Sequence, residues 1–424
     1  MTTTIATTIA PPRQCRRARV ATMSTFARAA SILNLAAAVA LAITGLPAMA
    51  ADATLGAKDA ENSNKSIWTQ NVTQFRKEHS VAGGYTKKWD LSDLPHYTPK
   101  HQLKGKLRVW GNNYIKDGYL GEYWKAEFKK FQPGIEIEYN LPTTGIGIPS
   151  LSAKASDLAM SRKAILMDLL TFEQVYHHPI TEITAVTGSY DVYGWMPAFT
   201  IVVNKDNPLD KINMKQLDGV FGGQRNGGYD GSVWRTDYPY RRGAEENIRT
   251  WGQLGLTGEW ADKPIHPGGQ TLRGNNTTQL SDRITRGSDQ WNENYQTYAN
   301  YIGTDGKIVP WSTQARDAIA KDKYALYYVS PLSMSPDLKE LAIQGWDGGP
   351  YVKRSLETIR DHSYPLYAEY YFYFNRDPGK AVDPKVDEFL HFILSQEGQE
   401  QVQREGRYIP LTGEMVREQL KKLD

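Results

Sequence analysis

Four short stretches of the chain carry side chains suited to gripping a small anion. The first, Trp110-Gly-Asn-Asn-Tyr114, offers the amides of Asn112 and Asn113. In the second, Thr143-Thr-Gly-Ile-Gly147, Thr143 or Thr144 can supply a hydroxyl, and Gly145 allows close approach of the backbone. The third, Asp157-Leu-Ala-Met-Ser-Arg162, ends in a hydroxyl and a guanidinium, Ser161 and Arg162. A guanidinium is the fitting group for a two-pronged grip on a phosphate-like oxyanion. The fourth, Leu272-Arg-Gly-Asn-Asn-Thr-Thr278, brings Arg273 with the hydroxyls of Thr277 and Thr278. Each stretch also fits a plainer role: a turn at Thr143-Thr144, a surface ion pair at Arg162, a helix cap at Arg273 to Thr277.

Catalytic patterns are thin by contrast. The chain has no G-x-S-x-G elbow, no H-E-x-x-H and no G-x-x-x-x-G-K-[ST]. Gly145-x-Gly147 runs into Pro149 and lacks the third glycine of a dinucleotide fingerprint. His177 and His178 are adjacent, so their side chains diverge, which favours a structural role over a metal site. Glu136 and Glu138 share one strand face and read as a solvated pair. No catalytic residue, metal or cofactor is expected. Asp117 is the one carboxylate offered as an acceptor for a protonated anion.

These loops need a scaffold, and 424 residues are too many for one compact core, so two lobes are the default. A charged fraction of 23% and a hydrophobic fraction of 40% are ordinary for a soluble protein. The formal net charge of +3 is too small for a nucleic-acid binder and mildly favourable to anions. At the N-terminus, Arg13, Arg16, Arg17 and Arg19 precede an apolar run from Ile32 to Leu46 that ends in Pro47-Ala-Met-Ala50. That is a secretory signal, with cleavage expected after Ala50 and Met23 an alternative start. The lone Cys15 lies within it, so the processed chain has no disulfide and no thiolate chemistry. Seven of the tryptophans, Trp195, Trp234, Trp251, Trp260, Trp291, Trp311 and Trp346, lie in or near the second half of the chain. They suit core and interlobe packing, with stacking on a sugar or cationic ligand as the competing use.

Residues 51–104 are polar and weakly patterned, an extension with little structure of its own. Leu107 to Trp110, Ile135 to Tyr139 and Asp157 to Met160 read as strands, with helices at Tyr119 to Phe131 and from Ile148. Strand and helix alternate, which is an α/β signature with a largely parallel sheet. Asn112 to Gly118 reads as a loop. Phe199 to Val203 and Tyr367 to Phe374 read as long strands that pair with each other and cross between lobes. Between them the pattern gives helices near Leu209 to Val220 and Gly243 to Leu254, a loop at Arg273 to Thr278 and a helix–strand unit at Ala315 to Val329. Near the C-terminus, Asp383-Pro384 starts a helix whose stripe is Val386, Phe389, Leu390 and Ile393. Ser395 caps a second helix that stops at Gly406.

That C-terminal segment, through Ser395, Glu397, Gly398, Gln399, Gly406, Tyr408 and Pro410, resembles the close of periplasmic solute-binding proteins of the phosphate-binding type, where "S-x-E-G-Q" precedes a Gly and "Y-x-P-L". Asp157 to Arg162 is similar to the family's "D-I-A-M-A-S-R", and Thr143 to Gly147 to its "G-S-G-x-G". Two loops depart: Asn112 and Asn113 stand where the family has Ser and Thr, and the Arg273 stretch lacks the family's Ser-Gly. The resemblance implies a two-lobe type 2 periplasmic binding protein fold, α/β, each lobe a mixed and mainly parallel sheet flanked by helices, joined by two crossing strands. It implies lobe 1 at 105–200 and 366–424 and lobe 2 at 201–365. It further implies a monomer, periplasmic or secreted, that captures phosphate or a similar oxyanion for an ABC permease of the inner membrane. The alternatives are another ligand, a sugar or a different oxyanion, a secreted phosphoesterase on the same scaffold, and a signalling or extracellular-scavenging protein uncoupled from transport.

Overall fold

The computed structural model describes residues 84–192, 195–272 and 274–424. The expected signal segment with Cys15, residues 51–83 and Arg273 lie outside the described residues. In chain order the first elements are β1 (Gly105–Gly111), α1 (Asn113–Asp117), α2 (Leu120–Phe131), β2 (Ile135–Asn140), α3 (Gly147–Ser152), β3 (Leu158–Ser161), α4 (Leu166–Tyr176) and β4 (Thr181–Thr187). There follow β5 (Thr200–Asn204), α5 (Met214–Phe221), β6 (His266–Gln270), α6 (Asn275–Ile284), β7 (Gln296–Tyr298), α7 (Trp311–Ile319), β8 (Ala325–Val329) and β9 (Leu338–Glu340). The chain closes with β10 (Glu369–Phe374), α8 (Pro384–Ile393), α9 (Gln396–Glu405) and α10 (Gly413–Leu420).

Two five-stranded sheets organise these elements. The first has the order β2-β1-β3-β10-β4, with β1 parallel to β2 and β3, and β10 antiparallel to β3 and β4. The second has the order β7-β6-β8-β5-β9, with β6 parallel to β7 and β8, and β5 antiparallel to β8 and β9. Each sheet has its own core. Leu107, Val109, Trp124, Phe128, Phe372, Phe389 and Phe392 pack in the first. Ile201, Val203, Leu217, Trp251, Leu280, Leu326 and Tyr328 pack in the second. The chain passes between the sheets through 188–192 and 195–199, and again at 361–368. These passages are hydrogen-bonded to each other, Gly188 N–H to Ala368 O at 2.8 Å and Phe199 N–H to Leu366 O at 3.2 Å. A two-track crossing of this kind is the usual site of hinge motion.

The expected pairing of Phe199–Val203 with Tyr367–Phe374 is corrected here: β5 and β10 sit in different sheets. All five β5 positions are buried, and five of the six in β10. Burial on both faces marks a central strand but carries no information about its neighbours. Residues 243–254 form short 3-10 turns instead of a helix, at Ala244–Glu246 and Trp251–Leu254. Asn112 to Gly118 is a capped helical turn, not a loop. The described part of the extension, 84–104, has no helix or strand, yet it is anchored. Leu91, Leu94 and Tyr97 are buried in the first core, and the Tyr97 hydroxyl donates to Glu388 at 2.6 Å. At the C-terminus the caps behave as the residue types dictate. Asp383 accepts from the N–H groups of Lys385 and Val386, Ser395 from Gly398, and Gly406 takes φ 74°.

Candidate ligand-binding cleft

The strand ends of the first sheet bring the early loops together. β1 and β3 are parallel neighbours, Gly111 opposite Met160, so the residues that follow each strand emerge side by side. Gly111 has φ 135°, and a Cβ there would lie 2.0 Å from the Met160 carbonyl oxygen, so only glycine fits. Asn112 then caps α1, accepting from Tyr114 N–H at 3.0 Å, while its amide donates to the Tyr408 hydroxyl at 3.0 Å. This fully buried side chain is committed to the scaffold. Asn113 and Tyr114, on the first turn of α1, face a cavity instead. Asn113 also donates to Asp117 at 3.1 Å, which places Asp117 behind it and off the cavity wall.

Thr143 and Thr144 enter the same cavity from the turn before α3. Ser161 Oγ donates to the Thr144 carbonyl at 3.2 Å and ties this turn to the end of β3. Gly145 does not line the cavity. Arg162 does, and it is 9% exposed. Its Nη1 donates to Lys163 O at 2.9 Å and to Asp168 Oδ2 at 3.1 Å, and its Nε reaches Asn275 Oδ1 at 3.4 Å. Asp168 is itself fixed, accepting from Ile165 N–H at 3.1 Å at the start of α4. Among the described residues Nη2 has no acceptor, so part of the fork is left for a ligand.

The second sheet completes the wall. Gln270 ends β6, Asn275 and Asn276 open α6, and Ser312 and Thr313 open α7. Asn300 also lines the cavity and accepts from Trp311 N–H at 2.8 Å, which orients the start of α7. Ser330 adds a buried hydroxyl with no partner among the described residues. Tyr370 reaches in from β10, and burial pushes its hydroxyl well above the ordinary tyrosine range, so it stays a donor. The cavity is about 290 Å³. Among the described lining residues Arg162 is the one ionised side chain; the remainder are amides, hydroxyls and apolar groups. The starts of α6 and α7 add their unpaired N–H groups and the positive ends of their dipoles.

Of the expected site residues, the structure thus brings Asn113, Thr143, Thr144 and Arg162 to one cavity. Asn112, Gly145, Ser161, Thr277 and Thr278 are not on its wall. The Thr277 hydroxyl lies 2.6 Å from the Tyr328 hydroxyl and 2.8 Å from Thr271 O; Thr278 Oγ1 donates to Asn275 O at 2.8 Å. The fourth stretch was expected to be a loop offering its threonines. The helix begins at Asn275 instead, which turns Thr277 inward and presents Asn275 and Asn276. Other residues on the wall, Gln270, Asn300, Ser312, Thr313, Ser330 and Tyr370, had no local signal beyond their polarity. Of the remaining histidines and carboxylates, His177 closes α4 at φ 60°, and Glu136 and Glu138 are exposed on β2. Among the described residues no group of three His, Cys, Asp or Glu could hold a metal ion. No helix there is long and apolar enough to cross a membrane.

A family model described as a PBP superfamily domain matches residues 107–397. The chain belongs to the PBP superfamily. The match runs from β1 to α9 and so covers both sheets and every described wall residue of the cavity. Among curated proteins the chain is similar to the phosphate-binding protein PstS of Pseudomonas aeruginosa, 27% identical over 332 residues, 78% of this chain and 90% of the relative. Among solved structures it is similar to a possible phosphate binding protein from Planctomyces limnophilus, at 17% identity and a TM-score of 0.41 over 76% of this chain and 98% of that one. PstS from Borrelia burgdorferi matches at 14% identity and a TM-score of 0.44 over 73% and 100%.

Proposed function

We propose that this protein captures phosphate, or an oxyanion of like size and charge, in the cleft between its two sheets and presents it to an ABC-type permease outside the cytoplasm. The observation that carries the reading is the cavity itself. One guanidinium with a free prong sits among hydroxyls, amides and helix starts, a set that donates from many directions to one anion. The similarity to a protein named for phosphate binding supports the same choice of ligand. Residues 105–200 and 366–424 act as one lobe and 201–365 as the other, hinged at the paired crossings. Arg162 and the wall residues Asn113, Thr143 and Thr144 hold the anion from the first lobe. Asn275, Asn276, Ser312 and Thr313 hold it from the second. Arg273 belongs to the same proposed set from its position in the sequence, two residues before Asn275.

Binding of this kind is non-covalent, and the protein works as a monomeric receptor, not as an enzyme. The test is titration calorimetry with phosphate, sulfate and a panel of sugars. Saturable phosphate binding tighter than about 10 μM, with no heat from sugars, is the expected result. Binding of a sugar in place of any oxyanion overturns the reading. Release of phosphate from a chromogenic phosphate ester by purified protein overturns the non-enzymatic part.

A further inference from the structure

A second cavity, of about 460 Å³, lies at the far end of α6, against the crossing residues Pro365 and Tyr367. Its lining carries Asp282, Arg283, Arg286, Trp346 and Asp347 together with Tyr238 and Tyr240. The Arg286 guanidinium is clamped between two rings, 4.4 Å from the centroid of Tyr240 and 4.2 Å from that of Trp346. Such a clamp fixes the direction of the fork. Its backbone is left-handed at φ 56°, a conformation that costs a residue with a Cβ about 1–2 kcal/mol. Two hydrogen bonds hold that turn in place, from Tyr238 Oη to Arg286 O at 3.1 Å and from Trp346 Nε1 to Arg283 O at 3.0 Å.

The charges on this wall are not paired with one another. Arg283 is committed to Glu369 at 2.6 Å. Arg286, Asp282 and Asp347 form no ion pair or side-chain hydrogen bond with any described residue. Burial holds the Asp282 carboxyl above its ordinary range, against the opposing pull of Arg283 and Lys163 nearby. Unpaired groups of both signs, held apart on one concave wall, suit a ligand that carries both signs itself. A simple anion meets two carboxylates there, and a simple cation meets the clamped guanidinium.

We propose that this cavity binds a small zwitterion, an α-amino acid or a betaine, with its carboxylate on Arg286 and its ammonium between Asp282 and Asp347. The last turn of α6 adds the negative end of its dipole on the ammonium side. Trp346 and Tyr240 supply apolar surface for the remainder of the ligand.

The test is calorimetry of the full protein with the twenty common α-amino acids and glycine betaine, each alone. At least one is expected to bind with a dissociation constant below about 1 mM. Arg286→Gln is expected to weaken it by about tenfold or more, the loss of one charge-assisted hydrogen bond. Asp282→Asn is expected to weaken the zwitterion and to spare its N-acetylated form, which lacks the ammonium. Both variants should keep the wild-type melting temperature within a few degrees and the wild-type response to phosphate, because neither residue lines the first cavity. Failure of every probe to bind wild-type protein overturns the proposal. So does binding that neither substitution weakens. A protein that fails to bind phosphate but still takes up a zwitterion leaves this site standing and sinks the proposed function instead.

Discussion

Arg162→Ala is the sharpest perturbation of the cleft. The guanidinium is 9% exposed, and its Nη2 is without an acceptor among the described residues. One or two hydrogen bonds from it to an anion are worth about 2–5 kcal/mol in total, since bonds to charged groups run near 1.5–3 kcal/mol each. That alone is about 30-fold to several thousandfold in affinity. A second effect adds to it. Asp168 lies 3.1 Å from Arg162 Nη1, and its side chain is only 13% exposed. Without the guanidinium this carboxylate faces the bound anion at about 6 Å, a repulsion of about 3 kcal/mol at an effective dielectric of 20. The expected loss is therefore about a thousandfold or more, read by calorimetry with phosphate. Arg162→Ala with Asp168→Asn should recover about tenfold to a hundredfold of it, because the repulsion goes while the missing hydrogen bonds stay missing. Phosphate affinity of the single variant within about threefold of wild type refutes the placement of the anion. A double variant no better than the single one refutes the role given to Asp168.

Three further outcomes are expected. Arg283→Gln removes the ion pair from α6 to Glu369 on β10, where both side chains are mostly buried, and should let the unliganded lobes part; an unchanged radius of gyration in solution scattering counts against that pair as a link between the sheets. His362 is held down to about 4 from 6.5, chiefly by burial and further by the nearby Arg283, so the fold favours its neutral ring; that contribution is complete above pH 6.5 and is lost as pH falls towards 4, about 2 kcal/mol after allowance for the exposed part of the ring. His362→Gln should flatten the acid side of denaturant midpoint against pH, and an unchanged slope between pH 6.5 and 4 refutes it. Phe389→Ala empties a fully buried position 5.2 Å from the ring of Phe128 and should cost about 3–5 kcal/mol by chemical denaturation; a loss under about 1 kcal/mol shows that the first core repacks around the gap.

Local chemistry was the most legible part of the sequence. The caps at Asp383 and Ser395, the left-handed stop at Gly406 and the alternation of Ile135 to Tyr139 each act over a few residues, and each is found where its residue types place it. Arg162 was singled out through the resemblance of Asp157 to Arg162 to the family's stretch, since by itself a guanidinium there fits a surface ion pair equally well. Pairing between distant strands was not legible, because β5 and β10 are buried along almost their whole length, and a strand covered on both faces shows no alternation that would mark its neighbour or register. The second half of the cavity was hidden for a different reason. Asn300 reaches the wall through its bond to the start of α7, and Ser330 meets Ser312 there through its own N–H at 2.9 Å. Neither lies beside a recognisable turn or cap of its own. Asn112 shows the opposite error. Its amide looked available, but a short polar residue one position before a helical turn is drawn to the unpaired N–H groups of that turn.

α6 joins these observations physically. It is 10 residues long, about 15 Å, and its two ends touch different machinery. Asn275 at its start meets Arg162 across the cleft. Arg283 near its end is bound to Glu369 and stacks 3.7 Å from the centroid of Tyr367 in the crossing, with His362 stacked on the same ring at 3.6 Å. A packed helix moves as a unit, so an anion that draws Asn275 and Asn276 towards Arg162 also loads the Arg283 contact at the crossing. The hairpin at 228–235 makes a third contact between the sheets, from the Ser232 hydroxyl to Glu173 on α4. Three contacts at separate points around the cleft favour one bridged arrangement over a continuum of partial ones. On this reasoning weakening either end of α6 should lower ligand affinity, and a variant at Arg283 should do so without touching the cavity wall.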